Sequence, residues 1–271
     1  MTDQPDRAAA AGSAALTYSS YLALDEVLHA QRPRSDEHDE MLFIVIHQVY
    51  ELWFKQLLHE LAHLQRRLED VDTSHAMRAL RRVLTILKVV VAQIDVLETM
   101  TPLQFTSFRA RLEAASGFQS GQFRELEAVL GRRAPSMLTP YEKGSETRQR
   151  IEDAMSRRSL FDSFLHYLAG SGYDIQREYL DRDVRQQWAA AEPVQDVLVA
   201  VYRDDAGPST VADLLVDVDE GMQEWRYRHV KMVERTIGAK SGTGGSAGAK
   251  YLASTLFHAV FPDLWAVRSR L

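Results

Sequence analysis

The 271-residue chain contains no cysteine. That absence excludes a disulfide framework, a thiolate nucleophile and any zinc, haem or iron–sulfur centre held by cysteine. A metal, if there is one, must sit on His, Asp, Glu or within a cofactor. The chain also lacks an apolar run near the ~18 residues that cross a bilayer. No basic segment leading into an apolar one stands at its start, and residues 1–15, rich in Ala, Gly and Ser, read as a flexible tail. A cytoplasmic location without membrane contact is therefore expected. An excess of positive charge is missing too: 38 acidic residues stand against 32 basic ones, for a formal net charge of −6. Nucleic acid, which needs a basic face, is not an expected partner. Strand alternation, hairpin dipeptides and internal repeats are likewise absent.

What is present is helical periodicity, from residue 16 onward. Leu16, Tyr18, Tyr21, Leu22, Leu24, Val27 and Leu28 mark one amphipathic helix, closed by Arg32-Pro33. Ser35 or Asp36 is placed to cap a second helix over 38–68. Its early part, MLFIVIHQVYELWF, is apolar on nearly all sides, which predicts burial at the centre of the fold. Further helices are predicted over 74–97, 101–111, 122–130, 146–155, 160–169, 184–202 and 210–237, with a last one near 250–257. Thr101-Pro102 is a cap followed by Pro at the first helical position. Residues 115–121 and the glycine-rich stretch 241–248 read as loops. The whole indicates one all-α domain over residues 16–271.

Among nine histidines, His59 and His63 are four apart on one helix, the spacing of a two-His metal face. Their segment is charged and amphipathic and brings no third ligand, so it reads as a solvated surface. His29, His75, His166 and His258 read as surface or interface residues. His47 differs, because it lies inside the most apolar helix, one turn after Phe43 and one before Glu51. It is either a hydrogen-bonded core residue or an acid, base or ligand. His229 follows Trp225 by one turn, amid Arg226, Arg228, Lys231 and Arg235. That pattern suits either a helix with a solvated basic face or a neutral imidazole on haem iron, with cations near for propionates. Spacing leaves both readings open. The glycine stretch lacks the Lys-Ser/Thr of a phosphate loop and follows a helix rather than a strand. It suits a lid with spare N–H groups and the Thr243 hydroxyl.

The blocks LTYSSYLALDEVL, HDEMLFIVIHQVYELWFKQLLHEL, LETMTPLQFTSFR, ASGFQSGQFRELE, WRYRHVKMVERTIG and GTGGSAG occur in this order over most of residues 16–269. Together they resemble the tryptophan 2,3-dioxygenases. The resemblance implies haem b with His229 as axial ligand of its iron. It implies that His47 accepts a hydrogen bond from the indole N–H, that Phe43 packs on the indole and that Arg109 holds the substrate carboxylate. By the same resemblance Thr243 contacts the charged end of the amino acid, with Phe105 nearby, and Ser116 and Gly117 line the distal pocket. Tyr18 and Tyr21 match tyrosines that reach a neighbouring subunit's site, and a homotetramer follows. The implied reaction inserts both atoms of O2 at the indole 2,3-bond of L-tryptophan, giving N-formylkynurenine in tryptophan catabolism.

The residue types agree with that chemistry. A guanidinium holds a carboxylate in bidentate fashion, and a neutral imidazole offers one acceptor to an indole N–H. Three departures bear on the pocket: Ser19 stands where many members have Gly, Ala247 where a second Ser is common, and Phe105 where some members have Tyr. Two other readings stand beside the leading one. One is a relative in secondary metabolism that adds a single oxygen to a methylated tryptophan, giving an oxindole. The other is a haem-based sensor or carrier, against which the pairing of Arg109 with Thr243 argues.

Overall fold

The computed structural model describes residues 15–113, 115, 117–240, 252–254 and 256–271. Among these, every regular element is helical. Two long helices frame the molecule: α3 (His38–Glu69) and α11 (Gly207–Ile237). Between them runs α4 (Thr73–Leu97), capped by the Asp72 carboxylate, which accepts from the His75 N–H. Its residues Leu80, Val83, Leu87, Val90 and Ile94 recur at helical spacing and are all nearly or fully buried. α4 packs along both α3 and α11. The two long helices are therefore neighbours of α4 more than of each other, and a gap opens between them toward its C-terminal end. On its other side, α3 packs against α8 (Leu160–Gly170), where Phe164, Leu165 and Leu168 are fully buried.

The gap is closed at its ends by short elements. α5 (Pro102–Arg109) opens with Thr101, whose hydroxyl accepts from the Gln104 N–H while the Gln104 side chain accepts from the Thr101 N–H. Pro102 follows at the first turn, as the sequence indicates. α6 (Gly121–Val129) is capped by Ser120 and packs on α3 and on α7 (Glu146–Met155).

Two buried carboxylates fasten the C-terminal segment. Asp219 of α11 accepts from Val260 N–H at 2.7 Å, Phe261 N–H at 2.9 Å and Trp265 Nε1 at 2.9 Å. Asp263 accepts from Trp188 Nε1 at 2.6 Å, Ala191 N–H at 2.8 Å and Gln195 Nε2 at 2.9 Å. Each is fully buried, and its charge is met by N–H donors rather than by a cation.

The structure corrects four expectations and leaves a fifth largely outside the described residues. The first amphipathic stretch is two short helices, α1 (Tyr18–Leu22) and α2 (Leu24–Leu28), because Ala23 adopts a left-handed φ of 50°. Neither Ser35 nor Asp36 caps α3; instead Glu40 folds back to accept the N–H groups of Arg34 and Ser35, each at 2.8 Å. The apolar start of α3 is buried on one side only, since Met41, Val45 and Leu52 are exposed on a second stripe. Of the helix expected over 184–202 only the later part forms, as α10 (Glu192–Asp204), and a short helix outside that range, α9 (Arg177–Leu180), precedes it. Between them Arg182 turns to Asp162 and Trp188 to Asp263, tertiary bonds that replace helical ones. The last helix expected near 250–257 falls largely outside the described residues, and α12 (Pro262–Ala266), absent from the sequence reading, follows.

Candidate active site

The gap between α3 and α11 is a cleft enclosing about 1660 Å³ of empty space, its open mouth included. Its floor is Ile94 and Leu97 of α4 with Met100. Phe43 and His47 project from α3, Trp225 and His229 from α11, Phe105 and Arg109 from α5, and Gly117 from the following loop.

Each imidazole is set by its own helix. His47 Nδ1 donates to the Phe43 carbonyl one turn back, at 2.7 Å. That bond fixes the tautomer of a neutral ring and leaves Nε2 as an acceptor. Burial pulls the His47 pKa below its ordinary value, against the opposing effects of the Phe43 carbonyl and the Glu51 charge. The Phe43 ring lies 4.1 Å from the imidazole, and Phe43, Phe105 and Phe108 form a triangle with centroids 5.5–5.8 Å apart. These rings make an aromatic slot beside the acceptor.

His229 stacks on Trp225, with centroids 5.1 Å apart and planes 16° from parallel. Trp225 in turn meets Phe123 at 4.7 Å and Phe54 at 6.3 Å. The His229 pKa is brought down to about 4, first by burial and then by His47. The ring is thus neutral at pH 7 and held in one orientation, the form a metal ligand requires.

One flank is strongly cationic. Glu127 of α6, 3% exposed, is met by Arg124 at 2.6 Å, Arg132 at 2.7 Å and Arg226 at 3.4 Å. The three guanidiniums converge on this one carboxylate at the cleft wall. Burial lowers the Arg226 pKa while Glu127 opposes the shift.

The tryptophan 2,3-dioxygenase family model matches residues 2–169 and 177–271. The chain belongs to this family. Tryptophan 2,3-dioxygenases of Anaeromyxobacter sp. (strain K) and Anaeromyxobacter dehalogenans are 63% and 64% identical to it, each over 96% of this chain and 98% of the relative. That of Caulobacter vibrioides is 43% identical over 94% of this chain and 98% of the relative.

Of the residues that the family resemblance singles out, the fold brings His47, His229, Phe43, Phe105, Arg109 and Gly117 to one cleft. Thr243, Ser116 and Ala247 lie outside the described residues. Tyr18 and Tyr21 do not line the cleft; they are 76% and 72% exposed on α1, as is Ser19 between them. Of the cations around His229, only Arg226 faces the cleft. Arg228 bonds Asp95 and Glu98 of α4, Arg235 lies by Glu98, and Lys231 bonds Glu234. His59 and His63 join no metal cluster among the described residues. No helix among these residues is long and apolar enough to cross a membrane.

Sequence reasoning missed Arg124 and Arg132, Glu127 and the Phe54–Phe123 wall. Their spacing on α6 gives no signal, because their meaning comes from α11 lying opposite.

Proposed function

We propose that the chain binds haem b and uses O2 to open the indole 2,3-bond of L-tryptophan, giving N-formylkynurenine. The observation that carries this reading is the pair of neutral imidazoles, His47 and His229, on separate helices of one aromatic cleft. The cleft fits the cofactor on its own chemistry: apolar walls, an imidazole stacked in place, and guanidiniums gathered on one flank. When bound, haem supplies the redox chemistry with O2. His229 would be the axial ligand of its iron, and Arg124, Arg132 and Arg226 would meet its carboxylates.

The chain's own part is binding, orientation and exclusion of water. Phe43 and Phe105 pack the indole, and His47 Nε2 accepts its N–H. Arg109, half-buried at the end of α5, would hold the carboxylate. Thr243 would meet the charged end, and Ser116 with Gly117 would line the distal side. The relatives compared above are named as dioxygenases, which favours this reading over monooxygenation of a methylated tryptophan and over a carrier. Incubation with O2, a reductant and tryptophan tests it by product mass: a gain of two oxygen atoms is expected, and a gain of one overturns it.

His47→Ala is expected to keep haem but bind and oxidise tryptophan poorly. A net hydrogen bond between neutral groups is worth ~0.5–1.5 kcal/mol, so the loss in kcat/KM is about tenfold. Loss of haem from this variant, with His229→Ala unaffected, would exchange the two roles.

The assembly is proposed to be a homotetramer. No residue of α1 or α2 is buried, although Leu16, Tyr18, Tyr21 and Leu28 are large and apolar. Met41, Val45 and Leu52 on α3 and Val89 and Val96 on α4 add exposed apolar stripes. Sedimentation is expected to give four chains, and a fully active monomer would refute the assembly.

A further inference from the structure

Glu51 stands where two clefts meet. It lines the catalytic cleft and also a second, more open cleft of about 1360 Å³ between α3, α6 and α7. On α3 it lies one turn beyond His47, and side chains four apart on a helix are neighbours. It does not swing free. Gln122 of α6 donates from one amide nitrogen to both the Glu51 carbonyl at 2.9 Å and its carboxylate at 2.8 Å. The same amide therefore fixes the backbone and the charge together.

We propose that Glu51, held by Gln122, is a positioning residue that acts through His47 and strengthens its Nε2 as acceptor for the substrate. The inference rests on the reading of His47 given above. The physical reason is polarisation. The Phe43 carbonyl takes the Nδ1 proton on one side of the ring. A fixed negative charge one turn along makes the imidazole more basic without touching the substrate, and the Glu51 charge does oppose the effect of burial on His47. Hydrogen bonds polarise one another in this way inside a low-dielectric cleft. The remaining charged groups on the cleft wall lie elsewhere: Arg109 on α5, Arg124 and Glu127 on α6, Arg132 just after α6, and Arg226 on α11. Arg124 and Arg226 are engaged with Glu127. Glu51 alone is a carboxylate on the helix of His47 within the cleft. It also lines the open cleft, beside Lys55 of its own helix.

A purely structural Glu51 would affect all ligands alike, whereas a polarising one would affect only those that donate to His47. The probes are L-tryptophan and its benzothienyl analogue, in which sulfur replaces the N–H. Binding to the haem-loaded protein is read from the shift in its absorbance. Glu51→Gln is expected to weaken tryptophan roughly twofold to fivefold, a part of one hydrogen bond, and to leave the analogue within about twofold. Gln122→Met, which keeps the charge but frees it, should change the ratio in the same direction by less. Glu51→Asp should restore part of the ratio. Equal weakening of both ligands by Glu51→Gln, or no change in either, overturns the proposal. A His47→Ala background separates the two readings. If wild type prefers tryptophan over the analogue and His47→Ala does not, the His47 reading stands, and Glu51→Gln should then add nothing on that background. If His47→Ala leaves the preference intact, the His47 reading itself fails.

Discussion

His229→Ala is expected to purify largely without haem, or to lose the ferrous spectrum of a histidine-ligated iron. The loss should be large because little else in the cleft can replace the ring. The chain has no cysteine. Among the described residues the other imidazole in the cleft is His47, whose Nδ1 is committed to the Phe43 carbonyl. Its ring is wedged against Phe43 at 4.1 Å. His229, by contrast, lies flat on Trp225 and keeps its ring edge for a metal. Removing it leaves the apolar walls and the guanidinium flank, so weak haem binding survives but not the axial bond. Haem content is measured by pyridine haemochrome and the ligation by the ferrous absorption spectrum. Circular dichroism checks that the helices persist. A variant with full haem content and an unchanged spectrum would remove His229 from the role.

Arg109→Ala is expected to lower kcat/KM by roughly thirtyfold to several thousandfold while leaving haem content normal. Truncating one partner of a buried, hydrogen-bonded charge pair typically costs ~2–5 kcal/mol, at about 1.4 kcal/mol for each factor of ten. The geometry supports a clamp in this place. Arg109 ends α5, whose first turn is locked by the Thr101–Gln104 box, and the Phe43–Phe105–Phe108 triangle fixes the same helix against α3. Arg109 thus lines the same cleft as Phe43 and Phe105. Arg109→Lys should recover only part of the loss, since an ammonium cannot reproduce the bidentate fork. Indole propionate keeps the carboxylate and tryptamine lacks it. Wild type should discriminate strongly against tryptamine, and Arg109→Ala much less. Equal oxidation of tryptamine and tryptophan by the wild-type protein would dispose of the clamp.

Much of this architecture is legible in one sequence. The 3.6-residue period locates α3, α4, α5, α8 and α11 within a few residues, because each presents an apolar stripe, and all but α3 carry a cap or a proline at the start. The period fails where tertiary bonds compete with helical ones. Residues 184–191 leave the expected helix, and among them Trp188 finds Asp263, a residue distant in the chain. It fails again at Ala23, where a left-handed φ breaks an unbroken apolar pattern. Nor does the period tell a buried stripe from one awaiting a partner. Met41, Val45 and Leu52 look like core in the sequence and are exposed in the single chain.

The chemistry divides in the same way. The sequence by itself determined the residue inventory: no thiol, two histidines in apolar or basic helical settings, and an arginine after a proline-capped helix. It also carried the blocks that mark the family. The tertiary structure alone decided which of these residues meet. His47 and His229 are 182 residues apart in number yet share one cleft. Of the basic residues around His229, α4 draws Arg228 and Arg235 away to Asp95 and Glu98, and only Arg226 joins Arg124 and Arg132 around Glu127. The reason is physical. Periodicity and capping are set by neighbours within a few residues, whereas the partner of a charge, the tautomer of a ring and the depth of a cleft depend on which helices pack together.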